Sequence, residues 1–394
     1  MNNKDTSLAF TLLLGFLIGL SALGTDLFVP ALPDTAAWFA APVSATQMTL
    51  TTYFLGLSAG QILWGPLSDR YGRKPVLLLA LGVMLASAIA APLTGSILSL
   101  SAVRLVQGFA MSAGIVVARS IVRDLYSHEQ AAQLLARAMI VFSLVPLAAP
   151  VCGAALASQA GWRAIFWTYA GVALALLAAV GVGLRETAPA GRRAARAGEI
   201  ARTFAGIALD PRFLAPVLVA LCCLAAILCW VTNSSFTLVQ GGGVSIRAYG
   251  WMFAGVMLGQ IAGAWIASRF VMRLGNARLL RAGVSLVLYG SVAAAAFAWA
   301  GETHWLALVA PFAVVLFGAA LVLPSATALA LTPFPQSAGA ASSLVGAATY
   351  IAGALLSALL GALFDGTARP MASAAAIAGL GAYVFERRLA VGKA

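Results

Sequence analysis

Charge is what this sequence has least of. Across 394 residues only 9% are Asp, Glu, Lys or Arg, histidine occurs twice, and 62% of the chain is hydrophobic. A soluble globular domain carries about 25% charged residues, so that class is excluded. Familiar catalytic patterns are missing as well. No G-x-x-x-x-G-K-[ST] phosphate loop, G-x-S-x-G elbow or H-E-x-x-H pair occurs, which removes ATP binding by that route and those hydrolytic mechanisms. The four cysteines (Cys152, Cys222, Cys223, Cys229) lie in apolar runs without metal or redox spacing and read as small hydrophobes. No metal site and no cofactor is implied.

What is present is a series of apolar runs of about twenty residues, each long enough to cross a hydrocarbon core of about 30 Å. The expected fold is an all-α polytopic membrane protein with twelve spans at 8–30, 46–66, 75–95, 97–118, 134–156, 164–184, 213–239, 248–271, 278–300, 305–331, 338–363 and 370–386. The first span either stops at Pro30 or continues, kinked at Pro30 and Pro33, to about Phe39. The longest polar segment, 185–212, divides the chain into six spans in 1–184 and six in 213–394, and its Arg-rich middle suits a short amphipathic helix on anionic lipid. With both termini cytoplasmic, only Arg163, Arg247 and Arg369 of the 24 Lys and Arg fall outside, and Arg104 and Arg119 fall in or near the membrane. That is the positive-inside distribution. The net charge of +12 therefore reports topology and a lipid bilayer, with no nucleic-acid partner. Lys4 before an apolar run imitates a signal peptide, but no polar mature domain follows, so cleavage is not expected.

Asp26 is the only charged residue between Leu8 and Val29, and the only acid that these spans place in a membrane helix. A lone carboxylate there costs roughly 2.5–3.5 kcal/mol on insertion scales. Either it is a structural acid satisfied by Thr25 or Arg104, or it is functional, which is the default for an intramembrane carboxylate. Internal repetition points to duplication: YFLGLSAGQI (53–62) and WMFAGVMLGQI (251–261) pair Gly56 with Gly255, Gly60 with Gly259 and Gln61 with Gln260. Glycines four apart admit a close helix neighbour. The later echo of SDRYGRK in VMRLGNAR requires one helical turn of insertion.

The segment GPLSDRYGRK (65–74) resembles the G-x-x-x-D-R-x-G-R-[RK] element of the major facilitator superfamily, and RLVQG (104–108) resembles its R-x-x-Q-G element. DLFVPALP, VRDLY, RET and AGAASSL narrow the resemblance to the bicyclomycin/chloramphenicol-resistance (Bcr/CflA) drug exporters. PLAAPVCG (146–153) keeps only Pro146, Pro150 and Gly153 of a Gly/Pro-rich antiporter element. The resemblance implies two pseudo-symmetric six-helix bundles in a bacterial inner membrane, and a monomeric proton-driven exporter of small amphipathic drugs rather than an enzyme. It implies Asp26 as proton carrier and Arg104 in coupling, with a lipid-anchoring arginine as the alternative for Arg104. It also implies a latch of Gly65, Asp69, Arg70, Gly72, Arg73, Lys74 and Asp124. There Asp69 would meet the start of the eleventh span near Ser337–Gly339, and Arg73 would pair with Asp124 when the cytoplasmic side closes. Arg119 belongs either to the cavity or, slightly favoured, to the Asp69–Asp124 cluster. Tyr53, Gln61, Asn233, Gln260, Ser343 and Tyr350 are candidate polar cavity groups, and Trp230, Phe236 and Trp251 candidate flat contacts. Export or import of an amino acid, nucleoside or sugar on the same fold is the alternative function. A membrane-embedded enzyme or a non-transporting sensor lacks the clustered groups or soluble extensions it would need.

Overall fold

The computed structural model describes residues 8–188, 197–302 and 304–391, and these contain no β-strand. Lys4, Lys393 and the linker's Arg192, Arg193 and Arg196 lie outside the described residues. The first set of helices is α1 (Leu8–Asp26), α2 (Leu32–Trp38), α3 (Val43–Tyr71), α4 (Arg73–Ala90), α5 (Ile97–Leu125), α6 (His128–Ala160) and α7 (Arg163–Gly183). After the linker helix α8 (Ala197–Ala208) come α9 (Pro211–Ser235), α10 (Ile246–Leu274), α11 (Asn276–Trp299), α12 (Leu306–Leu331), α13 (Ala338–Ala362) and α14 (Arg369–Val391). With α1 and α2 counted as one interrupted span, each set holds six long helices.

Ten of these are long and apolar enough to cross a membrane by length and composition; α3 and α14 fall outside that group. The reason in α3 is visible: Thr46, Gln47, Thr49, Ser58 and Gln61 are all buried against protein. Small and polar side chains are what closely packed membrane helices turn towards one another.

The two sets repeat one contact scheme. Helix α3 lies on α5 as α10 lies on α12, α4 on α7 as α11 on α14, and α1 on α6 as α9 on α13. Between the sets the partners exchange, α3 against α13 and α6 against α10.

The structure shifts the internal repeat by one helical turn. Helices α3 and α10 are both 29 residues long, beginning at Val43 and Ile246 and capped by Gly72 and Gly275. Both capping glycines have positive φ, 98° and 77°. Gly56 and Gly60 press on the carbonyls of Leu105 and Phe109, and Gly259 and Gly263 on those of Ala313 and Phe317. The structural pairs are therefore Gly56/Gly259 and Gly60/Gly263, the register that the SDRYGRK echo already required. Gly255, the sequence partner of Gly56, faces open space. An apolar helix with glycines four apart matches its copy nearly as well one turn out of register, so composition alone could not choose.

The first span takes the longer of its two expected forms. Helix α1 stops at Asp26, a 3-10 turn covers Val29–Ala31, and α2 carries on to Trp38. Pro30 has no N–H to give the carbonyl of Asp26, four residues back, so the helical ladder ends there. Gly153 of α6 fills the interruption, lying so close to the Leu27 carbonyl that a Cβ would stand 2.1 Å from it.

The two ends of the bundle differ. At the end carrying Arg163, Arg247 and Arg369, the sets are closed on each other. Gly250 lies on the Pro150 carbonyl, Gly361 on Gln47, and Arg247 Nε donates to Ser158 Oγ at 3.0 Å. At the other, more basic end, a cavity of about 710 Å³ separates them, walled by α3, α5, α8 and α13. That open end carries the Lys and Arg excess expected of a cytoplasmic face.

Substitution of Gly56 by Val is expected to cost about 1–3 kcal/mol through overpacking, whereas Gly255→Val is expected to be tolerated. Melting of the two purified variants in detergent checks this; equal melting temperatures would contradict the shifted register.

Candidate functional site

Two groups of residues carry the chemistry. The first surrounds the interruption in α1. Because the Phe28 amide turns to the Thr25 carbonyl at 3.0 Å, it is no longer available to the Gly24 carbonyl. Arg104 of α5 takes that oxygen instead, its Nη2 donating at 2.8 Å, and the Tyr169 hydroxyl of α7 donates to it at 3.1 Å. Arg104 Nη1 also donates to Gln107 Oε1 at 2.6 Å. The guanidinium stands 4.0 Å from the Tyr53 ring and 4.9 Å from Phe28, within cation–π range. Arg104 is completely buried, which removes the lipid-anchor alternative. A fully enclosed guanidinium cannot reach headgroups.

Asp26 is also buried, at 7% exposure, but makes no hydrogen bond or ion pair among the described residues. Arg104 binds the backbone two residues earlier, and Thr25 Oγ1 donates to the Ser21 carbonyl, so neither expected structural partner holds the carboxylate. The turn that follows it, Val29–Ala31, packs on α9 and α10 of the second set. Asp26 thus lies buried and unpaired next to a contact between the two halves.

The second group is at the basic end. The expected connecting loop shrinks to Gly72, because α3 continues through Asp69 and Arg70 to Tyr71. Gly65 meets only Val116 at 3.8 Å and is not a close-approach position. Arg73 is completely buried, with Nε on Asp124 Oδ2 at 2.8 Å, Nη1 on Ser68 Oγ at 2.7 Å and Nη2 on Asp69. Both carboxylates come from the first set, and the contacts exist while the cytoplasmic cavity is open. The Arg73–Asp124 pair is therefore an internal brace of that set and does not depend on closure, contrary to the expectation from sequence. Asp69 differs: it is 36% exposed and borders the cavity together with Ser337–Gly339 at the start of α13. Arg70 leans on the Tyr71 ring at 5.1 Å.

Glu186, just beyond α7, completes the cluster and was not singled out from sequence. Its Oε1 accepts from the Arg73 and Ala188 amides at 2.9 and 2.8 Å, and its Oε2 from the Lys74 amide at 3.2 Å. It supplies partners that the first N–H groups of α4 otherwise lack. Burial works to raise its pKa, but these amides outweigh it and hold the carboxyl below the usual glutamate value. Lys74 Nζ donates to the Gly181 carbonyl at 2.7 Å, tying α7 to α4 a second time. The only sequence signal was RET, whose glutamate had no visible partner until the fold brought Arg73 to it.

The candidate cavity residues separate. Gln61, Arg119 and Ser343 line the cavity, so Arg119 belongs there and not to the Arg73 cluster. Tyr350 stacks on Phe54 at 6.3 Å and does not line the cavity. Tyr53 belongs to the Arg104 cage, its hydroxyl donating to the Ser21 carbonyl at 2.9 Å. Trp230 is buried against Phe312 and Phe253, Phe236 against Phe364, Gln260 is half-buried outside the cavity wall, and Trp251 is 70% exposed. Asn233 sits in a seal near the closed end. Gln47 Nε2 of α3 donates to Asn233 Oδ1 at 2.9 Å and to the Thr232 carbonyl at 3.2 Å, and Ser357 of α13 donates to Gln47 Oε1 at 3.3 Å. Gln47 is a second residue that sequence alone did not single out. A glutamine among threonines on α3 carried no mark of its partners.

Known proteins share this plan. A D-xylose–proton symporter structure superposes with a TM-score of 0.74, covering 96% of this chain and 98% of that one at 16% identity, which shows the fold. The bicyclomycin resistance protein homolog of Haemophilus influenzae is 30% identical over 376 residues, 94% of this chain and 93% of the relative. The chloramphenicol resistance protein of Pseudomonas aeruginosa is 31% identical over 336 residues, 82% of this chain and 77% of the relative. Residues 14–357 match the Major Facilitator Superfamily, and the chain, a multi-pass membrane transporter rather than an enzyme, belongs to that family.

Proposed function

We propose that this protein is a proton-driven antiporter that exports small amphipathic drugs from the cytoplasm, with Asp26 as the proton carrier. The names of the relatives support drug efflux as the class. The observation that carries the mechanism is the unpaired, buried Asp26 carboxylate at the interruption of α1, whose following turn, Val29–Ala31, packs on α9 and α10 of the second set. In this reading the carboxylate takes up a proton when it opens towards the acidic side and gives it up inside when cargo arrives. No phosphate loop supplies another energy source.

Alternating access then needs two seals that are never both open. The outer seal is the Gln47–Asn233–Ser357 contact across the sets, formed in this structure. The inner seal forms when the cavity closes and Asp69 reaches the first turn of α13, where the helix dipole favours a carboxylate. Partial exposure keeps that contact weak enough to be broken each cycle. The Arg73–Asp124–Glu186 brace keeps Asp69 at a constant position on the first set throughout.

Two tests follow. Asp26→Asn is expected to reach the membrane at normal abundance and to reduce chloramphenicol and bicyclomycin resistance of a sensitive bacterium to that of empty-vector cells. Full resistance from that variant would remove the carrier role. Asp69→Asn is expected to slow transport severalfold while leaving drug affinity of the purified protein unchanged; a matching loss of affinity would place Asp69 in the drug site instead.

A further inference from the structure

The cavity at the basic end has an uncompensated charge. Its wall carries two guanidinium groups, Arg119 and Arg123, and one acid, Asp69. Asp69 is already paired with Arg73. Arg119 Nη1 donates only to the neutral Ser342 Oγ, at 3.2 Å, and Arg123 Nη2 to the neutral Ser120 Oγ, at 3.5 Å. Neither arginine has an acidic partner among the described residues. Arg119 lies one helical turn further from the end of α5 than Arg123, at membrane depth, where a charged side chain without a partner is costly to keep. Gln61 and Ser343 add neutral hydrogen-bonding groups around it, and Ile62, Val116 and Phe204 supply apolar wall.

We propose that Arg119 is the recognition residue for an anionic group, and that the cargo preferred by this transporter is an amphipathic organic anion. The expected ligand is a carboxylate, sulfonate or phosphate ester on a compact apolar body. Its anionic group pairs with the planar guanidinium fork, which accommodates two oxygens at once, while its body lies on the apolar wall. A cationic amphiphile of the same shape meets two unpaired arginines and is disfavoured. The inference rests on the reading that this cavity receives the cargo.

The test uses the full-length protein in lipid nanodiscs and three probes sharing one skeleton: 2-naphthoate, its methyl ester and 2-naphthylmethylammonium. By calorimetry at constant salt, naphthoate is expected to bind at least about tenfold more tightly than the ester, about 1.4 kcal/mol, with the ammonium weakest. Arg119→Gln should erase the preference and Arg119→Lys should keep part of it, at unchanged melting temperature. Equal affinities, a preference for the ammonium, no binding of naphthoate, or an intact preference in Arg119→Gln would each overturn the proposal. Asp26→Asn separates the two readings. Drug resistance that depends on Asp26, without any charge preference in binding, sinks only the anion assignment. Naphthoate selectivity that depends on Arg119, in a protein conferring no Asp26-dependent resistance, sinks only the proton-driven drug export.

Discussion

The hydrogen bond from Arg104 to the Gly24 carbonyl is the contact on which the rest of the site depends. An interrupted helix in a membrane leaves backbone oxygens without partners, and hydrocarbon offers none. Here Phe28 turns its amide to the Thr25 carbonyl, so the oxygen at Gly24 must be met from a neighbouring helix. Arg104 and Tyr169 meet it, with aromatic rings closing over the guanidinium. One consequence concerns charge. Arg104 is engaged by backbone and rings, so the carboxylate two residues away from Gly24 is left without a counter-ion.

That arrangement explains how a buried acid and a buried base coexist a few residues apart without neutralising each other. An ion pair between them would be difficult to separate at low dielectric, and its loss would strand both charges. Directing the arginine to a carbonyl gives both of its terminal nitrogens partners, Gly24 and Gln107, while Asp26 stays chemically available. The same division of labour occurs at the basic end. Arg73 is committed to Asp69, Asp124 and Ser68, and Glu186 to the amides of α4. Arg119 is left facing the cavity with only a serine. In both places a structural group absorbs the local electrostatics, and one charge remains for exchange.

Much of the candidate site was legible because a few polar residues stand out in an apolar sequence. Asp26, Arg104, Asp69, Arg73 and Asp124 needed no structure to be noticed. Their partners did. Gln47, Tyr169 and Glu186 are ordinary residues whose importance comes from what lies opposite, at sequence separations of more than a hundred residues. Gln260 was a candidate for its polarity and Trp251 for its ring, but Gln260 is half-buried outside the cavity wall and Trp251 is largely exposed. Trp230 and Phe236 were credible as flat contacts, and they serve inside the second set as core.

The sequence by itself determined the solvent. With so few charges the chain has to be buried in lipid, its apolar lengths dictate spanning helices, and its Lys and Arg assign the ends. It also determined where α1 must be interrupted, since Pro30 cannot donate. Tertiary structure decided which charges are paired and which are free, because pairing depends on atoms brought within about 3 Å from helices remote in sequence. It likewise decided that the cavity lies at the basic end. Which end of two packed helical sets is sealed is a property of their contact and not of either one alone.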